Sequence, residues 1–148
     1  MPIASDYRCN KCSFNIPETW GGYMYVIDES NKRVPCSHPG ESYTVAEVLK
    51  IDEELLGICT QWEGGYTASV SNTVSEEQAR SIIGKIGYNS DYICLNCSHR
   101  FYIDTKKDKK LCPQCKSDGI EAILDMAGKT CPKCKDGTID KFEEDAIS

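Results

Sequence analysis

Residues 44–57 carry apolar side chains at the spacing of an amphipathic helix, with polar residues between them. Thr44 and Glu47 have the spacing of a capping box, in which a hydroxyl accepts from first-turn amides while the carboxylate reaches back. Gly57 can adopt the left-handed conformation that ends many helices. The pattern predicts a helix whose buried face consists of Val45, Val48, Leu49, Leu55 and Leu56.

A second capping box, from Ser75 to Gln78, precedes another helical pattern. Apolar residues at positions 79, 82, 83 and 86 mark one face of this helix, and Gly87 is placed to end it. Helices of this length are marginally stable alone in water. We therefore expect both to pack into the core of a helical middle segment, residues 44–91; docking of one helix onto a partner is the alternative.

On both sides of this segment, short β-branched and aromatic runs alternate with polar turns, a pattern typical of antiparallel hairpins. Residues 23–27 and 33–34 form one predicted hairpin. Within the segment, residues 67–74 alternate more weakly and could form a strand. Towards the C-terminus the same pattern predicts three further strands, at residues 99–104, 119–124 and 138–142.

The chain has ten cysteines, and eight of them form CxxC pairs. Two thiolates separated by two residues can bind one metal ion from a tight turn, and two such turns complete a tetrahedral site. No apolar run has the length of a signal peptide or a membrane span, so we expect a cytoplasmic protein whose cysteines bind metal rather than form disulfides. The pairs are Cys9/Cys12, Cys94/Cys97, Cys112/Cys115 and Cys131/Cys134.

The first pair is followed by a predicted hairpin that leads into Cys36-Ser37-His38. Such a hairpin would return these residues to Cys9 and Cys12, which predicts a site with three cysteines and one histidine. Cys59 is the best substitute ligand. In the alternative interpretation, His38 is an ordinary loop histidine before a Pro-Gly turn.

The spacing Cys94-x2-Cys97-x14-Cys112-x2-Cys115, two cysteine turns joined by a hairpin, resembles a zinc ribbon. Cys112-Pro-Gln-Cys115 and Cys131-Pro-Lys-Cys134 resemble the CPxC knuckle of zinc ribbons and rubredoxins. The resemblance covers residues 7–38 and 92–142. It implies a shallow antiparallel sheet on a structural Zn2+, usually in a protein that binds nucleic acid or another protein.

The residue after the second cysteine of each pair departs from this pattern, since a glycine is often found there. Rubredoxin-like iron needs amide donors to its sulfurs from such turns. The departure therefore favours zinc over iron. The four positions hold Ser13, Ser98, Lys116 and Lys135.

Three of the CxxC pairs follow residue 90, and one tetrahedral site can use only two of them. We prefer that the first two share a metal, because the hairpin between them is the clearer one; the alternative joins the last two. In the preferred arrangement Cys131 and Cys134 recruit Cys59 and His99 into a third site, join two chains in a dimer, or remain a redox-active dithiol. Two zinc sites are therefore expected, with a third under the first of these alternatives.

These patterns together predict a small, metal-stabilised α+β protein in which antiparallel zinc-ribbon-like modules flank a two-helix middle segment. The predicted segments are an N-terminal module, the helical middle and a C-terminal ribbon region with a third CxxC knuckle and an acidic tail. Their bounds are 1–43, 44–91 and 92–148.

The net charge of −6 argues against a general polyanion-binding protein, but the charge is uneven. Residues 41–63 hold six acids against one lysine, and residues 94–116 hold six cations against two acids. Cations beside aromatic residues suit phosphate contact with base stacking; the alternative is an ordinary solvated turn. The candidate nucleic-acid contacts are Arg100, Lys106, Lys107, Lys109 and Lys110, beside Phe101 and Tyr102.

A zinc site that is closed by four protein ligands has no position for water and so no Lewis-acid chemistry. We therefore expect structural zinc in a protein-interaction or adaptor module, with nucleic-acid binding as the alternative. A zinc enzyme or a rubredoxin-like redox protein is less favoured. Glu41 lies near a candidate ligand, but the sequence lacks the zinc-deaminase and HExxH motifs and a glycine-rich phosphate loop.

Overall fold

The computed structural model describes residues 3–60 and 65–145. The chain divides into two compact units. Among the described residues, unit 1 comprises those up to Gly22 and from Ser90 onward, and unit 2 comprises those of Tyr23–Asn89. Unit 1 therefore contains all four CxxC pairs, so the first and last described segments of the chain belong to one unit. The predicted segments 1–43, 44–91 and 92–148 divide the chain at other residues.

Short strands dominate the described part of the chain, and two nine-residue helices lie between them. Two single-turn 3-10 helices, Glu53–Leu55 and Ile123–Asp125, complete the regular structure. The helices are α1 (Glu41–Leu49) and α2 (Glu76–Gly84); the strands are β1 (Ile3–Cys9), β2 (Asn15–Thr19), β3 (Gly22–Ile27), β4 (Arg33–Pro35), β5 (Leu56–Thr60), β6 (Tyr66–Val70), β7 (Ile86–Cys94), β8 (Arg100–Ile103), β9 (Ile120–Ala122) and β10 (Ile139–Asp145).

Unit 1 contains a three-stranded antiparallel sheet in the order β10-β1-β2. In this sheet Cys9 lies opposite Ile139, so the strand before the first CxxC pair runs beside the strand after the last one. The second half of β7 pairs antiparallel with β8 and with β9. Each strand of unit 1 thus leads into or out of a cysteine turn at one of its ends.

Unit 2 is a small α+β unit built on an apolar core. The hairpin of β3 and β4 matches the predicted one, and β5 and β6 form a second hairpin. Strand β3 lies between β4 and β7, whose residues 86–89 belong to this unit. The buried core consists of Met24, Val26, Cys36, Val45, Ile82 and Ile86, with further apolar residues of α1 and of both hairpins packed against it.

The second predicted helix is confirmed at its start and corrected at its end. The Ser75 hydroxyl accepts a hydrogen bond from the Gln78 amide at 3.1 Å, which is the predicted cap. The helix ends at Gly84 rather than at Gly87, and Ile86 begins strand β7. Burial alternates along most of β7, so the residues after the helix follow a strand period rather than a helical one.

The first predicted helix exists but is shorter and starts earlier. Helix α1 begins at Glu41 after Gly40, and no side chain caps it, because Thr44 already lies inside the helix. The helix ends where Lys50 adopts a left-handed conformation with φ of 57°. Gly57 does not end it, since this glycine lies in β5. Among the described residues, no helix combines the length and apolar character needed to cross a membrane.

Candidate metal centres

Eight cysteines of unit 1 come together in two groups of four. In each group the four sulfur atoms all lie within 4.8 Å of one another. Both groups combine one knuckle with another from elsewhere in the chain. We name them site I, which consists of Cys9, Cys12, Cys131 and Cys134, and site II, which consists of Cys94, Cys97, Cys112 and Cys115.

The sulfur separations match those of a tetrahedral metal site. In site I, Cys9 Sγ lies 3.7 Å from Cys134 Sγ, and Cys12 Sγ lies 3.7 Å from Cys131 Sγ. The corresponding distances in site II are 3.5 and 3.6 Å. A zinc ion with four thiolate ligands and Zn–S bonds of about 2.3 Å places its sulfurs about 3.8 Å apart, whereas a disulfide needs about 2.05 Å. Both groups therefore fit a metal ion, and the cysteines are free thiols.

Three of the four knuckles share one backbone geometry. Ser98, Lys116 and Lys135, each next after a second cysteine, have φ of 61°, 65° and 62°. The amide of each donates to the carbonyl of the first cysteine of its pair, at 2.9 to 3.0 Å. Glycine adopts this left-handed conformation most readily, yet serine and lysine hold it here. These three knuckles therefore form although no glycine follows their second cysteine.

Backbone amides donate to the sulfurs of both sites. The amides of Lys11 and Cys12 reach Cys9 Sγ at 3.3 and 3.4 Å. In site II the amides of Gln114 and Cys115 reach Cys112 Sγ at 3.4 and 3.5 Å. These are the donors that iron–sulfur sites also use. The serines and lysines that follow the second cysteines therefore do not indicate whether the sites bind zinc or iron.

The hydrogen bonds and the crowding of sulfurs act on the thiols in opposite directions. The Asn96 side chain and the Ser117 amide lower the pKa of Cys115 to about 6, and the amides of Asp136 and Gly137 lower the pKa of Cys134 to about 6. The Phe14 amide lowers the pKa of Cys12, but burial and the neighbouring thiols outweigh it and raise the pKa to about 12. Neighbouring thiolates repel, so full ionisation of a group requires a cation among the sulfurs.

The two knuckles of site I are also joined outside their sulfurs. The backbone N–H of Asn10 donates to the Thr138 carbonyl at 3.1 Å, and the backbone N–H of Thr138 donates to the side-chain Oδ1 of Asn10 at 3.0 Å. A Cβ on Gly137 would lie 2.3 Å from Cys9 Sγ. Close approach of the two knuckles therefore requires glycine at this position.

The predicted grouping of Cys9 and Cys12 with Cys36 and His38 is not the one that the structure brings together. Cys36 is buried in the apolar core of unit 2, where burial followed by the charge of Glu41 raises its pKa to about 11. His38 Nδ1 lies 2.9 Å from Glu41 Oε2. Spacing could not identify the partner of the first pair, because pairing of β1 with β10 brings Cys131 and Cys134 to it.

Two further candidate ligands stand outside both groups. Cys59 is exposed on β5 in unit 2, and its sulfur lies 3.7 Å from the Thr60 carbonyl oxygen. The His99 ring stacks on Phe101 with centroids 5.9 Å apart. Among the described residues neither belongs to a group that can hold a metal ion. The third site predicted from them is therefore not assembled, and the last CxxC pair belongs to site I.

Arg100 has a structural partner. Its Nε donates to Asp91 Oδ1 at 2.8 Å, and its terminal nitrogen pairs with Asp91 Oδ2. The Thr19 hydroxyl donates to the same carboxylate at 2.7 Å, and the Asp91 side chain is fully buried. Arg100 therefore joins β8 to the interior of unit 1, in contrast to the four exposed lysines Lys106, Lys107, Lys109 and Lys110 of the following turn.

Comparison with protein-family models, with curated proteins and with solved structures finds no match for this chain. The functional interpretation therefore comes from the two sites. Each has four cysteine sulfurs within 4.8 Å of one another, so an ion that binds all four would have no open position for water or substrate. Such a site can stabilise a fold; it cannot act as a Lewis acid.

Proposed function

We propose that this protein is a zinc-binding protein in which sites I and II each hold one structural Zn2+. The observation that carries the proposal is that four sulfurs lie within 4.8 Å of one another in both sites, with sulfur–sulfur separations of 3.5 to 3.7 Å that are close to those of a tetrahedral zinc site. Donor sets of four cysteines from two knuckles are typical of structural zinc. Unit 1 is made of short strands around these cysteines, and metal binding supplies stability that such modules otherwise lack.

Elemental analysis of the purified chain tests this proposal. We expect two zinc ions per chain, and one in Cys131→Ser, because loss of a thiolate opens site I. Cys36→Ala is the matched control, since this cysteine is buried in unit 2, and it should keep two zinc ions. Iron in place of zinc, or two zinc ions in Cys131→Ser, would contradict the proposal.

Closure of the sites can be tested separately with Co2+ in place of Zn2+. A tetrahedral site of four thiolates should give a visible spectrum that does not change when cyanide or azide is added, because no position is open to them. A spectral change on adding either anion would indicate an open position and would favour an enzyme.

We propose further that the zinc-stabilised chain is a protein-interaction module. Closed metal sites leave the surface as the functional part of the molecule. Tyr43 of unit 2 is 61% exposed and Phe142 of unit 1 is 46% exposed, and aromatic side chains are enriched in interfaces. Substituting each residue separately by serine should show which one weakens binding of a protein partner while the zinc content stays at two; unchanged binding in both variants would exclude both positions.

Nucleic-acid binding is the second candidate, and one observation favours it. In the turn after β8, Asp108 Oδ2 accepts from the Asp104 amide and Asp104 Oδ1 accepts from the Lys106 amide. The two carboxylates accept from backbone amides of the turn. The side chains of the four lysines are exposed, and so is the Tyr102 ring on the preceding strand, at 46%. This arrangement suits contact with phosphates beside a ring that can stack on a base.

Fluorescence anisotropy with a single-stranded oligonucleotide tests this candidate. Replacing Lys106, Lys109 and Lys110 by glutamine should weaken binding and make the slope of log K against log salt shallower by about 2, because three phosphate contacts are lost. Binding that survives the triple substitution with the same salt dependence would exclude the turn as the binding surface.

A further inference from the structure

The knuckle formed by residues 94–97 contributes to both metal sites. Its two cysteines are ligands of site II. The side chain between them, Leu95, packs against the buried cluster that surrounds site I, which includes Cys131. Leu95 therefore packs beside site I from a knuckle whose conformation is set by the two cysteines of site II.

A polar contact joins the same two knuckles. Lys135, the residue after the last cysteine of site I, donates its ammonium to the backbone carbonyl of Leu95. The Leu95 amide donates to the Gly119 carbonyl at 2.8 Å. The peptide groups on both sides of Leu95 are therefore fixed, one by a residue of the site I knuckle and one by the segment that leads into β9.

The strand before the knuckle is shared in the same way. Ile93 belongs to the buried cluster around site I, and the next residue, Cys94, belongs to the cluster around site II. On the other side, Ile120 packs on the site II cluster and Ile123 is buried in the site I cluster. Ordering one site thus orders the chain segments that carry ligands of the other.

We propose that sites I and II bind zinc cooperatively, with Leu95 and Lys135 as the residues that couple them. This inference rests on the proposed structural zinc sites and adds that neither fills independently. Coupling between two binding sites is reciprocal, so a metal ion in site I should raise the affinity of site II by the same factor as the reverse. Metal-free and two-zinc chains should therefore dominate at partial loading.

Native mass spectrometry of the full chain during a zinc titration tests this directly. Independent sites, whether equal or unequal in affinity, leave at least the binomial fraction of one-zinc chains at half saturation. Cooperative sites leave a smaller fraction of one-zinc chains. We expect a coupling factor of about 5-fold or more, which is the usual lower range for linked sites.

Lys135→Gly and Lys116→Gly form a matched pair of variants. Both lysines follow a CPxC pair and have left-handed φ values of 62° and 65°, which glycine accepts without strain. Lys116 donates to the Pro113 carbonyl inside its own knuckle at 3.2 Å, whereas Lys135 reaches the other knuckle. Only Lys135→Gly should raise the one-zinc fraction, with the coupling factor lowered by about 2- to 10-fold, the size of one hydrogen bond.

Leu95→Ala provides a second variant that acts through packing rather than charge, and it should raise the one-zinc fraction in the same direction. A one-zinc fraction at or above the binomial value in the unmodified chain would overturn the proposal while leaving two structural sites in place. An identical coupling factor in Lys135→Gly, Leu95→Ala and the unmodified chain would overturn the assignment of these residues. Chains that never reach two zinc ions would instead contradict the proposed function itself.

Discussion

The two units of this protein bury different kinds of side chain. Among the described residues, unit 2 has one apolar cluster to which both helices and both hairpins contribute. The described part of unit 1 has two clusters, and each contains cysteines of a metal site. Apolar burial stabilises a unit in water without any ligand, whereas a cluster that includes four thiols reaches its full stability only with a cation. The comparison teaches that one short chain can combine two sources of stability.

Removal of metal should produce the largest difference between the two units. A chelator should abolish amide protection in the knuckles of unit 1, because structural zinc contributes about 10–16 kcal/mol of apparent binding free energy per site. Protection in α2 and in the hairpin of β5 and β6 should remain. Hydrogen exchange read out by mass spectrometry measures both, and chelator saturated with zinc is the control. Loss of protection in both units together would show that unit 2 also depends on metal.

Asp91→Asn should have the next largest effect. The Asp91 side chain is fully buried and accepts from Thr19 and Arg100, so the change leaves the guanidinium without its counter-charge. Breaking one partner of a buried ion pair costs about 3–5 kcal/mol. Chemical denaturation of the zinc-loaded chain measures this cost. Asp140→Asn, at an exposed position of the same unit, should change stability by less than about 0.5 kcal/mol.

A pair of glycine substitutions should act on one unit each. Gly137→Ala places a Cβ 2.3 Å from Cys9 Sγ, and Gly87→Ala places one 2.2 Å from the ring of Tyr25, which is fully buried. The first should lower zinc affinity by about 10- to 100-fold, the range found when groups around metal ligands change. The second should lower the stability of unit 2 by about 1–3 kcal/mol through overpacking.

Competition with a chromophoric chelator measures the zinc affinity, and thermal unfolding measures the stability. Gly84→Ala is the common control. A Cβ added at Gly84 would have no atom within 4 Å, apart from its chain neighbours and the backbone of its own helix. If Gly87→Ala weakened zinc binding as much as Gly137→Ala does, the two units would not be separate in their energetics.

Ser75→Ala should have the smallest effect. It removes the side-chain acceptor for the Gln78 amide at the start of α2 and should cost about 1 kcal/mol. Urea denaturation measures the loss, and the zinc content should remain unchanged. Ser81→Ala, at an exposed position inside the same helix, should be neutral or slightly stabilising because alanine is the better helix former. Equal losses in both variants would contradict the role of Ser75 as a cap.

Local patterns predicted the parts of this protein that depend on neighbouring residues. The CxxC spacing indicated metal-binding knuckles, and the hairpin between Cys97 and Cys112 indicated that the pairs on either side share a site, as they do in site II. The Ser75 cap and the hairpin of β3 and β4 were equally readable. Each of these features is closed within a few tens of residues.

Features that depend on distant residues could not be read in this way. Cys12 and Cys131 are 119 positions apart, and only the pairing of β1 with β10 brings their knuckles together. The sequence suggested Arg100 as a nucleic-acid contact, but in the structure its guanidinium pairs with the buried Asp91 carboxylate. Cys36 looked like a ligand because it follows a hairpin, although its sulfur packs in the apolar core of unit 2.

The sequence by itself determined that this chain forms cysteine knuckles, because a thiolate pair at CxxC spacing and its amide donors belong to one turn. Only the tertiary structure decided which knuckles share a site. Four sulfurs must approach within 4.8 Å of one another, and strands from opposite ends of the chain provide that approach in site I. The choice of partners is therefore a property of strand pairing, which no local spacing records.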